Sequence, residues 1–115
     1  MNIWVFTEWR KSSLRESSLA LLGEGRRIAE HLNGNVSALV PNDQEPDEIQ
    51  RLIAHGADAV IVLEMPLQGF HRAMVVSEAI AGLLSPPDSN MILFCAGSTA
   101  NEVASYLSVK CQAGL

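Results

Sequence analysis

The sequence predicts an α/β fold, an open sheet of parallel strands wound in the order βαβαβαβα, from three observations. Four short apolar runs lack the alternation of a half-exposed strand, as expected where both faces of a sheet are covered. Stretches with helical periodicity separate them. Turn residues punctuate nearly every junction, and crossovers of this length join parallel strands in the right-handed sense.

The first run is Ile3 to Phe6. A long helix follows from about Ser13 to Leu32, with Leu19, Leu22, Ala29 and Leu32 along one side, and Asn33-Gly34-Asn35 ends it. Val36 to Val40 is the second strand. Pro46 suits the first turn of a second helix, in which Ile49, Leu52 and Ile53 share a face and which His55-Gly56-Ala57-Asp58 closes. Ala59 to Leu63 is the third strand. A helix over about 70–84, carrying Ala73, Val76, Ile80, Leu83 and Leu84, ends at Ser85-Pro86-Pro87-Asp88. Met91 to Cys95 is the fourth strand, and Val103, Ala104 and Leu107 mark a helix over 100–110. Four strands are few for such a sheet, and Gln112-Ala113-Gly114-Leu115 stands where another could follow, so the expectation is a piece of a larger domain or polypeptide.

Composition narrows the function. The 115 residues make one small domain, 48% apolar and 18% charged, enough to bury a core. The net charge of −5 disfavours nucleic acid, which needs a concentrated basic face, and the only adjacent basic pairs are Arg10-Lys11 and Arg26-Arg27. No apolar run approaches the ~20 residues of a membrane helix, so no membrane insertion is expected. The chain enters its first strand directly after Met1-Asn2, which leaves no room for a signal peptide and makes the cytoplasm the expected location. Cys95 and Cys111 lack C-x-x-C spacing and His31, His55 and His71 are scattered, which suggests neither a disulfide framework nor a metal site.

The best candidate site is the loop Ala96-Gly97-Ser98-Thr99, after the fourth strand and before a helix. Helix starts offer free N–H groups to anions, Gly97 permits close backbone approach, and Ser98 and Thr99 could add hydroxyl donors. Alternatively Thr99-x-x-Glu102 is a capping box that serves the helix itself, as Ser13-x-x-Glu16 would be. Ligands of open α/β sheets bind beyond the carboxyl ends of strands where the winding reverses. If the first and fourth strands are neighbours, Thr7-Glu8-Trp9-Arg10 faces Gly97-Ser98-Thr99 there, and Thr7, Gly97, Ser98 and Thr99 form an anion or nucleotide crevice. Glu8 would then be an acid, a base or a ribose ligand, or would only bond the opposite loop. Trp9 would be a stacking surface, a packing residue or a protein contact.

The remaining motifs point away from chemistry. Gly23-Glu24-Gly25 lies mid-helix without the third glycine of a dinucleotide fingerprint, and close packing accounts for it. Asp43, Glu45, Asp47 and Glu48 read as a solvated helix start helped by the dipole. Cys95 ends an apolar run, as a buried inert thiol does. Phosphate-loop and nucleophile-elbow motifs are missing, and no acid–base or nucleophile set emerges, so an enzyme is not expected.

The order of segments resembles the amino-terminal domain of the electron transfer flavoprotein alpha subunit. Ile3-Trp4-Val5-Phe6-Thr7-Glu8 is similar to that family's opening strand, and Leu14-Arg15-x-x-Ser18-Leu19-x-Leu21-Leu22-Gly23 to its "L-R-x-x-S-x-E-L-L-G" helix entry. Ala29-Glu30-x-Leu32 with Gly34-x-Val36-x-Ala38-Leu39-Val40 resembles the approach to its second strand. His55-Gly56-Ala57-Asp58-Ala59-Val60 resembles its "Y-G-A-D-K-V" step, and 94–115 its "G-A-T-x-x-G-R-D-L-A-P-R-L-A-x-x-L-x-A-G-L" stretch. Ala100-Asn101-Glu102 stands where that family has Gly-Arg-Asp, Gly97 replaces a threonine and Cys95 a glycine.

The resemblance implies a three-layer Rossmann-like fold of the adenine nucleotide alpha hydrolase type, strand order 3-2-1-4-5, with the fifth strand absent here. It implies a scaffold or interaction domain in an assembly that carries electrons from dehydrogenases through FAD. The flavin would lie mainly on a carboxy-terminal domain outside this sequence and the adenylate on the beta subunit, so no cofactor is expected on this chain alone. Expected partners are a beta-type subunit or that carboxy-terminal domain. The open edge of a four-stranded sheet separately leads to the expectation of a homodimer or of association with such a flavoprotein partner, by edge pairing beside Met91 to Cys95. The alternative is a free-standing nucleotide- or phosphate-binding module using Thr7, Gly97, Ser98 and Thr99.

Overall fold

The structure, a computed structural model, describes residues 1–10, 13–41, 46–63, 72–84, 90–95 and 98–111. Gly97, Asp43, Glu45, the Ser85–Asp88 turn, 112–115 and the side chains of Arg10, Ser98 and Thr99 lie outside the described residues. The expected strands are present as β1 (Asn2–Phe6), β4 (Asn35–Pro41), β5 (Ala59–Leu63) and β6 (Asn90–Phe94). Two further strands, β2 (Trp9–Arg10) and β3 (Ser13–Leu14), form a small antiparallel ladder pairing Trp9 with Leu14. Helices α1 (Glu16–Leu32), α2 (Pro46–Ala54), α3 (Arg72–Leu83) and α4 (Ser98–Lys110) complete the order. Among the described residues no helix is long and apolar enough to cross a membrane.

The main sheet runs β5-β4-β1-β6 with every pairing parallel. Numbered by the four main strands this is 3-2-1-4, in agreement with the first four places of the expected order. Side chains alternate across it. Ile3, Val5, Val36, Ala38 and Val40 point to one face, where Leu19, Leu22 and Ala29 of α1 and Leu52 of α2 cover them. Phe6, Leu39 and Leu63 point to the other, against Ala73, Val76 and Ile80 of α3 and Val103 and Leu107 of α4. Each large aliphatic side chain so buried contributes about 1.5–3 kcal/mol. Leu32 and Ile53, expected in the helical stripes, are instead exposed. The first is the last residue of its helix, and the second lies beside the single stripe that α2 turns inward.

The helix ends follow the turn residues. Asn33 is left-handed at φ 53°, and the Gly34 N–H reaches back to Ala29 O at 2.8 Å. Gly56 has φ 122°, and the Ala57 N–H closes α2 onto Leu52 O at 3.1 Å. Of the mid-helix glycines, Gly25 is a close-packing position: a Cβ there would lie 3.3 Å from Val5 Cγ2. Gly23 faces open space.

One of the two expected capping boxes does not form. α1 begins at Glu16 with Arg15 in the cap position and no side-chain cap, because Ser13 belongs to the β2–β3 ladder. α4 runs from Ser98 to Lys110, and the Thr99–Glu102 box rests on the Thr99 side chain, which lies outside the described residues.

Candidate functional site at the carboxyl end of the sheet

β1 neighbours both β4 and β6, so the winding reverses between β1 and β6. Phe6 and Phe94 lie in register there, their rings 5.4 Å apart. Thr7 continues from one strand and Cys95 from the other at this switch point, the end of an open α/β sheet at which ligands bind. The backbone starts of Ser98 and Thr99 in α4 follow β6 at this same end of the sheet.

The polar groups around β1 are turned inward. Thr7 is 2% exposed. Its hydroxyl donates to Leu39 O at 2.6 Å and accepts the Trp9 indole N–H at 2.8 Å. The Thr7 backbone N–H also bonds Leu39 O, at 3.2 Å. Trp9 packs against the α1-side core, so its ring is a packing element with its polar tip satisfied. Both side-chain polar groups are thus engaged within the domain.

Glu8 is likewise engaged. Its backbone N–H donates to the Ser18 hydroxyl at 2.8 Å and its carbonyl accepts the Arg15 N–H at 3.0 Å. The Glu8 carboxylate pairs with Arg15 at 3.7 Å. Among the described residues Glu8 therefore bonds the start of α1. Ser18, fully buried, is the residue that sequence reasoning missed here. A serine inside the first turn of a helix, beside an otherwise apolar stripe, was the available signal.

A second tie comes from the acidic cluster. Asp47 is exposed, as a solvated helix start requires, but Glu48 accepts the Leu14 N–H at 2.9 Å and pairs with Arg51 at 3.0 Å. The Leu14 hydrogen bond, followed by that from Arg51, holds the Glu48 carboxyl below its usual range. Arg51 reaches on to Glu16 at 3.5 Å. One carboxylate thus joins α2 to the β2–β3 ladder.

Asp58 does similar work at the opposite end of the sheet. Its carboxylate accepts the Val36 N–H at 2.9 Å and pairs with Arg26 of α1 at 3.0 Å. The Val36 hydrogen bond, with help from Arg26, lowers its pKa against the opposing effect of desolvation. The Gly-Ala-Asp step is thus a structural joint: Gly56 turns the chain, Ala57 is buried, and Asp58 aligns β5 with β4. Cys95 is half-buried after β6 and Cys111 exposed after α4, both as free thiols. Among the described residues no His, Cys, Asp and Glu group could hold a metal ion.

The family profile described as "Electron transfer flavoprotein domain" matches residues 3–115. The chain is 28% identical over 114 residues to the electron transfer flavoprotein subunit alpha of Thermoanaerobacterium thermosaccharolyticum, covering 99% of this chain and 34% of that protein. It is 28% identical over 118 residues to Protein FixB of Rhizobium meliloti, covering 99% and 33%. It is 23% identical over 114 residues to the acryloyl-CoA reductase electron transfer subunit beta of Anaerotignum propionicum, covering 99% and 31%. The chain spans about a third of the length of these relatives.

Proposed function

The chain belongs to the electron transfer flavoprotein domain family, and we propose that it is a scaffold domain that supports FAD-mediated electron transfer without itself holding the flavin. The observation that carries this reading is the inward commitment of the polar groups at the switch point. The Thr7 hydroxyl, the Trp9 indole and the Glu8 main chain all bond within the domain. They do not fit a flavin, so no step of the redox chemistry is assigned to them. The isoalloxazine and its electrons belong to polypeptide beyond this chain, in a beta-type subunit or a carboxy-terminal domain. Electrons would come from dehydrogenases that the complete assembly serves.

The test is a visible spectrum of the purified 115-residue chain, alone and after co-expression with a beta-type subunit and a flavin-bearing carboxy-terminal domain. The chain alone is expected to be colourless and to co-purify with the yellow assembly. A stoichiometric flavin retained by the isolated chain through gel filtration would overturn the reading.

A nucleotide- or phosphate-binding module is the second reading, favoured by the adjacency of β1 and β6 at the switch point. With the Thr7 hydroxyl engaged, that crevice would rely on Gly97, Ser98 and Thr99. Calorimetric titration with AMP separates the two readings, and the scaffold reading expects no heat of binding.

A further inference from the structure

We propose that Glu48 is an acid-released latch: ionised, its carboxylate holds the β2–β3 ladder on α2, and on protonation the β3 end of the ladder lets go while the main sheet stays folded. This inference is independent of the scaffold reading and concerns a device within the chain itself. The ladder follows directly from the carboxyl end of β1, beside the switch point. Its release would therefore reshape the end of the sheet at which ligands of open α/β folds sit.

The phase of the ladder shows what the latch holds. The Arg15 N–H donates to Glu8 O at 3.0 Å. Bonded and unbonded pairs alternate along an antiparallel ladder, so the next pair, Trp9 with Leu14, exchanges no hydrogen bonds. The Leu14 N–H therefore points outward, toward the place of a further strand. Glu48 Oε2 accepts it there, at 2.9 Å.

Opposing charges converge on this carboxylate. Arg51 of α2 bonds both oxygens, with Nη1 3.0 Å from Oε1 and 3.2 Å from Oε2. Glu48 also lies in the first turn of α2, at the positive end of the helix dipole. Against these stand Asp47, adjacent and exposed, and Glu16 of α1, which draws Arg51 Nη2 at 3.5 Å. Arg15, next to Leu14, is turned to Glu8 at 3.7 Å. The balance holds the Glu48 carboxyl below its usual range, and with 21% of the side chain exposed the proton reaches it from solvent. A charge-assisted hydrogen bond is roughly twice as strong as a neutral one, so protonation weakens the Leu14 bond and ends the pairing with Arg51. The tie is complete above the ordinary carboxyl pKa and is lost as pH falls through the lower folded value.

The base of the ladder is held differently. Glu8 N–H to the Ser18 hydroxyl, Arg15 N–H to Glu8 O and the Trp9 indole to the Thr7 hydroxyl are bonds between groups that take up no proton in this range. Acid thus frees the β3 end from α2 and leaves the base on β1 and α1.

Amide NMR of the full chain across a pH titration tests the latch, reading chemical shift and protection from hydrogen exchange at Leu14 and, for the main sheet, at Val5 of β1. The Leu14 shift is expected to titrate below the usual carboxylate range, with its protection lost over the same interval while Val5 stays protected. Glu48→Gln keeps an oxygen acceptor without the charge, and should make both Leu14 readings flat with pH. A Leu14 titration that persists in folded Glu48→Gln would overturn the proposal, since Asp58 or another carboxyl would then be its cause. A parent in which Leu14 does not titrate, or loses protection only together with Val5, would overturn it equally. Should Glu48→Gln fail to fold, the contrast between Leu14 and Val5 in the parent decides alone.

Discussion

At Thr7 one hydroxyl serves two partners, donating to Leu39 O and accepting from the Trp9 indole. Replacing it with an isosteric methyl leaves the half-buried indole N–H without an acceptor. Thr7→Val is therefore expected to cost about 1–3 kcal/mol, the penalty of an unsatisfied polar group, measured by urea denaturation. A change in AMP affinity in place of stability would show the hydroxyl to be a ligand group. Asp58 gives the residue scale its pH dependence. Its folded pKa is depressed by the Val36 N–H and by Arg26. The resulting stabilisation is present above the unfolded carboxyl pKa and is lost as pH falls through the lower folded value. In Asp58→Asn that contribution is missing at neutral pH. The difference in Tm between parent and variant should thus narrow on acidification, and a constant difference would contradict the assignment.

At the scale of the element, the entry to α1 is held by tertiary bonds and not by a cap of its own. Ser13 is exposed in β3, so Ser13→Ala should change stability by less than about 0.5 kcal/mol, where losing a true N-cap costs about 1 kcal/mol. Ser18→Ala should cost about 1–3 kcal/mol, because it leaves the Glu8 N–H without its acceptor. Chemical denaturation of the two variants side by side checks the contrast, and equal losses would restore Ser13 as the cap. The sequence shows a hydroxyl residue and a glutamate at capping distance before both helices, Ser13 with Glu16 and Thr99 with Glu102. Spacing alone does not say which residue the helix takes as its first. That choice falls to the β2–β3 ladder, which holds Ser13 in a strand.

The whole molecule has two apolar layers on opposite faces of one sheet. Leu22 in the first and Ile80 in the second are both fully buried. Leu22→Ala and Ile80→Ala should each cost about 2–5 kcal/mol, a large part of the 5–15 kcal/mol that stabilises an ordinary domain. Because the strands between the layers are shared, either substitution should lower one cooperative transition. Circular dichroism and tryptophan fluorescence should report the same midpoint. Separate midpoints would mean that the layers fold independently.

Hydrophobic periodicity and turn residues determined the four main strands, the four helices and the parallel winding. They suffice because burial on both faces of a sheet leaves a local signature in every strand, and each helix carries its own stripe. The order of segments also carried the family, since its motifs are spaced along nearly the whole chain. The use of the polar residues was decided only in three dimensions. Thr7 and Leu39 are 32 positions apart, and Arg26 and Asp58 are likewise 32 apart. Leu14 and Glu48 are 34 apart. Nothing in the local sequence reveals whether such a group faces a ligand or another strand. A hydrogen bond depends on where two distant segments meet, and that is set by the packing of the sheet between its helices.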